Sequence, residues 1–475
     1  MKFGKLKYRF FLFISFLCFF TKAQLNKIAE EWLKDESLNG ALTSYCVYDY
    51  SNDLVLSEHN QELLMIPAST LKIFTTATAL KIKGNSYRFK TNFEYDGKIE
   101  NKILKGNIYI IGSGDPTFGS SYFYKNETDV FTQLLAEINK LGITKIEGNI
   151  IGDASVWPKQ IPANWIWGDI SNYFGAVPFG LSFSDNLVKI HFKSKGIGEA
   201  TEITSIEPNE LFNTFKFENS VKGGTKGDEA YIYGDPFGYH KDILGTIQHD
   251  KSDFIVKGSS PDPALQCAVV LKNYFVSNGI KVSGSASSVF NSDTTRKSKL
   301  ICSHSSPSLD KIVYYTNIAS NNLFAESLVY LIGNGNYGAG LGNIYNYIKK
   351  LGLNEKQIYL SDGCGLARSN LVTTSLQAKF IGKVLSDPLT QKTFSESLPA
   401  ASKQGSMRSI GKGEYIEGKM QAKTGYINHA RGYSGFVKSK TGKTISFSVL
   451  FNNYLISPTE AKKKIEKLLI GIGEL

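Results

Sequence analysis

Three short patterns in the chain combine residue types able to carry out acyl transfer. Ser-x-x-Lys sets a lysine one helical turn after a serine, so amine and hydroxyl share a face. A neutral amine there can take the hydroxyl proton and leave an alkoxide-like nucleophile. The pattern occurs at Ser69/Lys72, Ser308/Lys311 and Ser409/Lys412, so context must choose among them. Only Ser69 opens an apolar, alanine-bearing stretch that would bury the pair and depress the lysine's pKa. Ser308, Leu309 and Asp310 read as a helix cap, while Ser409 and Lys412 lie among glycines and charges. The second pattern, Ser320-Asn321-Asn322, offers a hydroxyl and an amide two residues apart on a helix-joining turn. An ordinary polar turn would look the same. The third, Lys423-Thr424-Gly425, puts a cation and a hydroxyl on a strand beside a glycine that lets a ligand approach the backbone. Its repeat at Lys440-Thr441-Gly442 sits in a polar hairpin turn.

Apolar periodicity supplies the elements that must hold these residues. From Tyr45 to Leu56 the text alternates as a strand pair around Ser51-Asn52-Asp53, and Leu71 to Leu80 reads as a buried helix. Short strands punctuated by Gly and Asp follow from Arg88 to Val256. Helices return at Ala264 to Asn278, Ile312 to Ile332 and Leu376 to Leu385. Gly432 to Val437 and Thr444 to Phe451 alternate as strands. The last helix opens at Ser457-Pro458 and places Ile465, Leu468, Leu469 and Ile472 on one face. Being lysine-rich, it could associate loosely with a membrane; packing on the terminal sheet is the commoner arrangement.

Composition removes other classes of function. Of 475 residues 42% are hydrophobic and 20% charged, which suits a large folded core. The formal charge is +11, but Lys2, Lys5, Lys7, Arg9 and Lys22 sit in residues 1–23 without an acid. What remains is too mild to argue for nucleic acid. The basic start, the apolar run from Phe10 to Phe20 and the small residues Thr21 and Ala23 predict a secretory signal peptide over 1–23. No later segment reaches the ~18 apolar residues of a membrane span. The remainder is expected to be exported to the periplasm or cell envelope. Cys46, Cys267, Cys302 and Cys364 would survive cleavage. Their long, irregular spacings permit disulfides there, though buried free thiols are the simpler reading. The six histidines form no ligand pair, so no metal is expected.

Taken in order, Ser-x-x-Lys, Ser-x-Asn and Lys-Thr-Gly resemble the motif set of penicillin-binding proteins and serine β-lactamases. Ser320 lies 251 residues after Ser69, and Lys423 lies 103 after Ser320. The long first gap resembles class C low-molecular-mass penicillin-binding proteins, the D-alanyl-D-alanine carboxypeptidase/endopeptidase family. Residues 112–117 (GSGDPT), 147–153 (EGNIIGD), 181–186 (LSFSDN) and 362–368 (DGCGLAR) look like that family too. Cys364 departs from its usual serine, and Tyr426 stands where a small hydroxyl residue is typical.

The resemblance implies an α/β (α+β) penicillin-binding fold with helices on both faces of an antiparallel sheet. It would be built from residues 24–88 and 258–475, with a strand-rich insertion over 89–257 of two small subdomains. It implies a serine peptidase acting on peptidoglycan stem peptides, without cofactor, and covalently inhibited by β-lactam antibiotics. Ser69 would be the nucleophile, Lys72 the base and Ser320 the proton relay to the leaving amine. Asn322 would hold the peptide and orient Lys72. Lys423 would supply positive charge for Lys72 and the substrate carboxylate, and Thr424 a hydrogen bond. Gly425 lets the substrate approach, and the N–H groups of Ser69 and Tyr426 would form the oxyanion hole. Asp153 and Arg368 would recognise the free amino acid end of a diaminopimelate side chain, unless Asp153 caps a turn and Arg368 makes a surface ion pair. A β-lactamase with fast deacylation, or a catalytically silent wall-binding scaffold, are the competing readings.

Overall fold

The computed structural model describes residues 25–162 and 164–475; the expected signal peptide lies outside them. The chain divides into two units. The first comprises the segment up to Asn85, Val313–Asn321 and Leu341–Leu475; the second comprises Ser86–Ile312 and Asn322–Gly340.

The first unit is organised by a five-stranded antiparallel sheet. Its order runs from Leu54–His59 through Leu42–Asp49, Thr444–Asn452 and Ala430–Lys438 to Met420–Ile427 at the edge. Seven of the eight residues of Leu42–Asp49 are buried, because helices cover both faces and leave no solvent side. On one face, helix 25–33 and helix Pro458–Glu474 join Tyr45, Val47, Val449 and Phe451 in one core cluster. On the other, helix Thr374–Leu385 lies against the central strands, where Ser446 Oγ donates to Ala378 O at 2.8 Å. Helix Lys72–Lys83 packs against it, with Phe74 and Phe380 ring centroids 4.4 Å apart.

Ser457 caps the last helix from its side chain, with Pro458 at the first position. Ile465, Leu468, Leu469 and Ile472 are fully buried. Each such side chain gains about 1.5–3 kcal/mol from leaving water. The face that a membrane would need is therefore consumed by the core.

The second unit is built on another five-stranded sheet, ordered Ala286–Val289, Ile150–Asp153, Ile108–Ile111, Lys90–Tyr95 and Lys299–Ser305. Helix Pro263–Ser277, capped by Asp262, covers it. Two three-stranded sheets share a separate core. Residues 258–312 belong here, where the sequence reading attached them to the peptidase domain. The physical reason is pairing: Lys299–Ser305 completes the sheet beside Lys90–Tyr95, and Ala286–Val289 runs parallel to Ile150–Asp153.

The apolar run expected as one helix from Ile312 to Ile332 is two helices, Leu309–Ile318 and Asn322–Ile332. The break falls on Ser320, whose φ is +56°.

Candidate active site

Pro67 precedes a single 3₁₀ turn, Ala68–Leu71, which feeds directly into helix Lys72–Lys83. Ser69 sits on that turn and Lys72 on the first helical residue, so the three-residue spacing aligns their side chains. Every residue from Lys72 to Leu80 is buried, and the buried hydroxyls of Thr75, Thr76 and Thr78 are satisfied by Gly363 O, Lys72 O and Phe74 O. Lys72 is itself fully buried. Its Nζ lies 2.9 Å from Ser69 Oγ and donates to Cys364 O at 2.7 Å. The two decoy pairs differ plainly: Ser308 Oγ donates to Asp310 while Lys311 is exposed, and Ser409 and Lys412 are both exposed.

The Cys364 carbonyl is aimed by a buried turn. Asp362 accepts from the N–H groups of Gly365 (2.7 Å) and Ala367 (2.6 Å), and from Asn370 Nδ2 (2.8 Å). Thr75 Oγ1 donates to Gly363 O at 2.6 Å, tying the turn to the nucleophile helix. Gly365 is left-handed (φ +84°), and a Cβ there would lie 1.9 Å from Ala68 O. Glycine is thus required on two counts.

The Lys-Thr-Gly strand runs alongside the same turn. A Cβ on Gly425 would fall 2.5 Å from Pro67 O and 3.0 Å from Ser69 N, so glycine sets the approach of edge strand to nucleophile. Lys423 is fully buried; its Nζ donates to Ser320 Oγ at 2.9 Å and to Thr424 O at 2.7 Å. Burial, then the charge of Lys72, push the Lys423 pKa well below the ordinary lysine value. The expected role of Lys423 as a standing positive charge therefore meets a limit, since two buried ammonium groups disfavour each other. Thr424 Oγ1 donates to Ser406 Oγ at 2.5 Å. Tyr426 is half exposed, with the Arg431 guanidinium 4.8 Å over its ring.

Ser320 is placed by a helix terminus. Asn321 N–H bonds to Thr316 O at 3.1 Å, the 6→1 bond of a Schellman motif with Ser320 at the left-handed position. Asn317, fully buried, donates to Ser397 Oγ at 2.8 Å and Thr76 Oγ1 at 3.3 Å. This pins the helix end to the nucleophile helix.

The structure therefore brings Ser69, Lys72, Ser320, Lys423 and Gly425 together within the first unit. Arg368 also belongs to that unit and is half-buried. Asn322 and Asp153 belong to the second. Asn322 Nδ2 donates there to Phe174 O at 2.7 Å. Asp153 is buried, accepts from Ser155 N–H at 2.9 Å and forms an ion pair with Arg296 at 2.6 Å, the contact being ionic rather than a well-angled hydrogen bond. Its charge is already matched, and the turn-capping alternative describes its position. Cys46, Cys267, Cys302 and Cys364 are all free and buried. Sequence reasoning did not find the Cys364 carbonyl or Ser406; a backbone acceptor carries no residue-type signal.

The D-Ala-D-Ala carboxypeptidase 3 (S13) family matches residues 24–472. The chain belongs to that family. Among similar proteins, the D-alanyl-D-alanine carboxypeptidase of Actinomadura sp. (strain R39) is 24% identical over 454 residues, covering 91% of this chain and 82% of that protein. The crystal structure of penicillin binding protein 4 (dacB) from Haemophilus influenzae superposes with a TM-score of 0.75 at 22% identity, covering 92% of this chain and 95% of that one. A second structure of that protein, complexed with a novel β-lactam, gives a TM-score of 0.70 at 21% identity over 91% and 95% of the two chains. These similarities establish the penicillin-binding fold of this S13 chain.

Proposed function

We propose that this protein is an exported serine D-alanyl-D-alanine carboxypeptidase/endopeptidase that cleaves peptidoglycan stem peptides through an acyl-enzyme on Ser69. The observation that carries the reading is Lys72 Nζ, fully buried and 2.9 Å from Ser69 Oγ. In its neutral form this amine accepts the Ser69 proton as Oγ attacks the penultimate D-alanine carbonyl. The Ser69 and Tyr426 N–H groups stabilise the resulting oxyanion. As the tetrahedral intermediate collapses, Ser320 passes a proton to the leaving D-alanine amine. Water then attacks the ester and releases Ser69. An arriving substrate carboxylate offsets the repulsion between Lys72 and Lys423 and favours a charged Lys423. The chemistry needs only the side chains and backbone N–H groups of the protein, and water.

The apolar, basic segment 1–23 supports export to the periplasm or envelope. Among the described residues no helix is long and apolar enough to cross a membrane. N-terminal sequencing of the mature protein from an envelope fraction should start at Gln24.

The enzymatic reading is tested with a fluorescent penicillin followed by peptide mapping. The expected result is a long-lived adduct on Ser69. An adduct elsewhere, or none on folded protein, overturns the reading. Rapid turnover of the penicillin would instead mark a β-lactamase.

A further inference from the structure

The second unit contains a cavity of about 330 Å³ lined by none of the Ser-x-x-Lys, Ser-x-Asn or Lys-Thr-Gly residues. One wall is the sheet in which Lys189 stands between Glu207 and Lys257 on neighbouring strands. Lys189 is committed to Glu207, with Nζ 2.5 Å from the carboxylate. Lys257, the next in the row, has no hydrogen-bonded or ion-paired partner among the described residues, and neither has Lys125 on the facing loop. Two ammonium groups thus border the space without a counter-charge in contact, Lys257 feeling the Asp185 carboxylate only through space.

The acceptors are sorted in the same way. Asp185 is occupied, taking the hydroxyls of Ser120 at 2.5 Å and Ser121 at 3.1 Å. Gln266 is 2% exposed, and its Nε2 donates to Leu187 O at 3.0 Å. That bond fixes the amide orientation and leaves Oε1 buried without a donor. Buried acceptors are rarely left so in folded proteins. Glu127 lines the same cavity.

We propose that this cavity binds a small zwitterion of amino-acid or dipeptide size. Its carboxylate sits with Lys125 and Lys257, and its ammonium or amide N–H serves Gln266 Oε1 and Glu127. Opposite charges on one small ligand answer both sets of unmatched groups, and a simple anion would leave the acceptors unserved. The proposal rests on no property of Ser69 and stands or falls apart from the peptidase reading.

The test is isothermal titration calorimetry of the full chain with L-alanyl-L-alanine, its N-acetyl derivative and its C-terminal amide. Circular dichroism melting confirms that each variant is folded. The expected result is one millimolar site for the free dipeptide, weakened about tenfold or more by blocking either end. The exposed pair Lys125→Ala/Lys257→Ala should weaken it similarly, as should Gln266→Met, which keeps volume and removes the acceptor. No binding to the native chain, equal binding of the blocked derivatives, or unchanged affinity in the double variant overturns the proposal.

Discussion

Lys72 holds the backbone carbonyl of Cys364 at 2.7 Å, so the residue that departs from the family's usual serine serves the base through an atom every residue possesses. Cys364→Ser should therefore leave penicillin acylation within about threefold, a change of under 1 kcal/mol. Gly365→Ala should abolish it, because the new Cβ would lie 1.9 Å from Ala68 O and displace the nucleophile turn. Stopped-flow acylation rates of both variants check this. A large loss in Cys364→Ser would mean that the thiol itself is needed.

Ser320 occupies a left-handed position where helices usually place glycine. Serine there costs about 1 kcal/mol relative to glycine, a strain tolerated because the hydroxyl receives Lys423 Nζ. Ser320→Gly should raise unfolding free energy by about that amount while acylation falls about 10²–10⁴-fold. Ser320→Ala should lose acylation without the gain in stability. Equal stabilities for the two variants would remove strain from the account.

This position also shows what the sequence could and could not reveal. Ser320-Asn321-Asn322 read as a helix-joining turn, yet the apolar periodicity on both sides ran on as one helix from Ile312 to Ile332. The left-handed backbone at Ser320 decides for the turn. The Ser69/Lys72 pair was legible because it opens a stretch of apolar and alanine residues that would bury it, a property of side chains. The Cys364 acceptor was not legible, because it depends on Asp362 folding a turn 292 residues from Lys72 in sequence. Residues 258–312 went to the wrong unit because strand pairing between Lys299–Ser305 and Lys90–Tyr95 leaves no local trace.

The two buried lysines make a coupled pair, and the Lys423 pKa is held down by burial first and by Lys72 second. Lys72→Met should reduce acylation about 10²–10⁴-fold, because the general base is lost. It should also raise the Lys423 pKa, since a neighbouring positive charge disappears while burial persists. Carbon-13 chemical shifts of lysine Cε followed against pH read this directly. A Lys423 titration that does not move would show that the two amines are not coupled, and undiminished acylation would assign the base elsewhere.

Asp153 and Arg296 form a pair whose carboxylate is buried. Removing one partner of a buried pair costs about 3–5 kcal/mol, so Asp153→Ala should lower the melting temperature. Turnover of a stem peptide with a free diaminopimelate amine and acylation by benzylpenicillin should then fall in parallel. A loss confined to the stem peptide, with stability kept, would instead place Asp153 in substrate recognition.

Asp115 gives the chain a pH-dependent stability of definite sign. It is fully enclosed, one oxygen accepts from Thr117 N–H and Oγ1 at 2.8 and 2.6 Å, and the other has no partner. Burial outweighs those hydrogen bonds and raises its pKa from 3.8 to about 6. The folded state therefore holds this proton more tightly than the unfolded state. Stability from this group is present at low pH, declines as pH rises from about 4 to about 6, and levels off above. The total is on the order of 3 kcal/mol. Asp115→Asn keeps an acceptor for Thr117 but cannot ionise. Urea unfolding at pH 4 should give similar midpoints for native and variant proteins, while at pH 7.5 the variant should be the more stable. Identical pH slopes for the two proteins would show that Asp115 ionises without cost, and that its second oxygen finds a partner in solution.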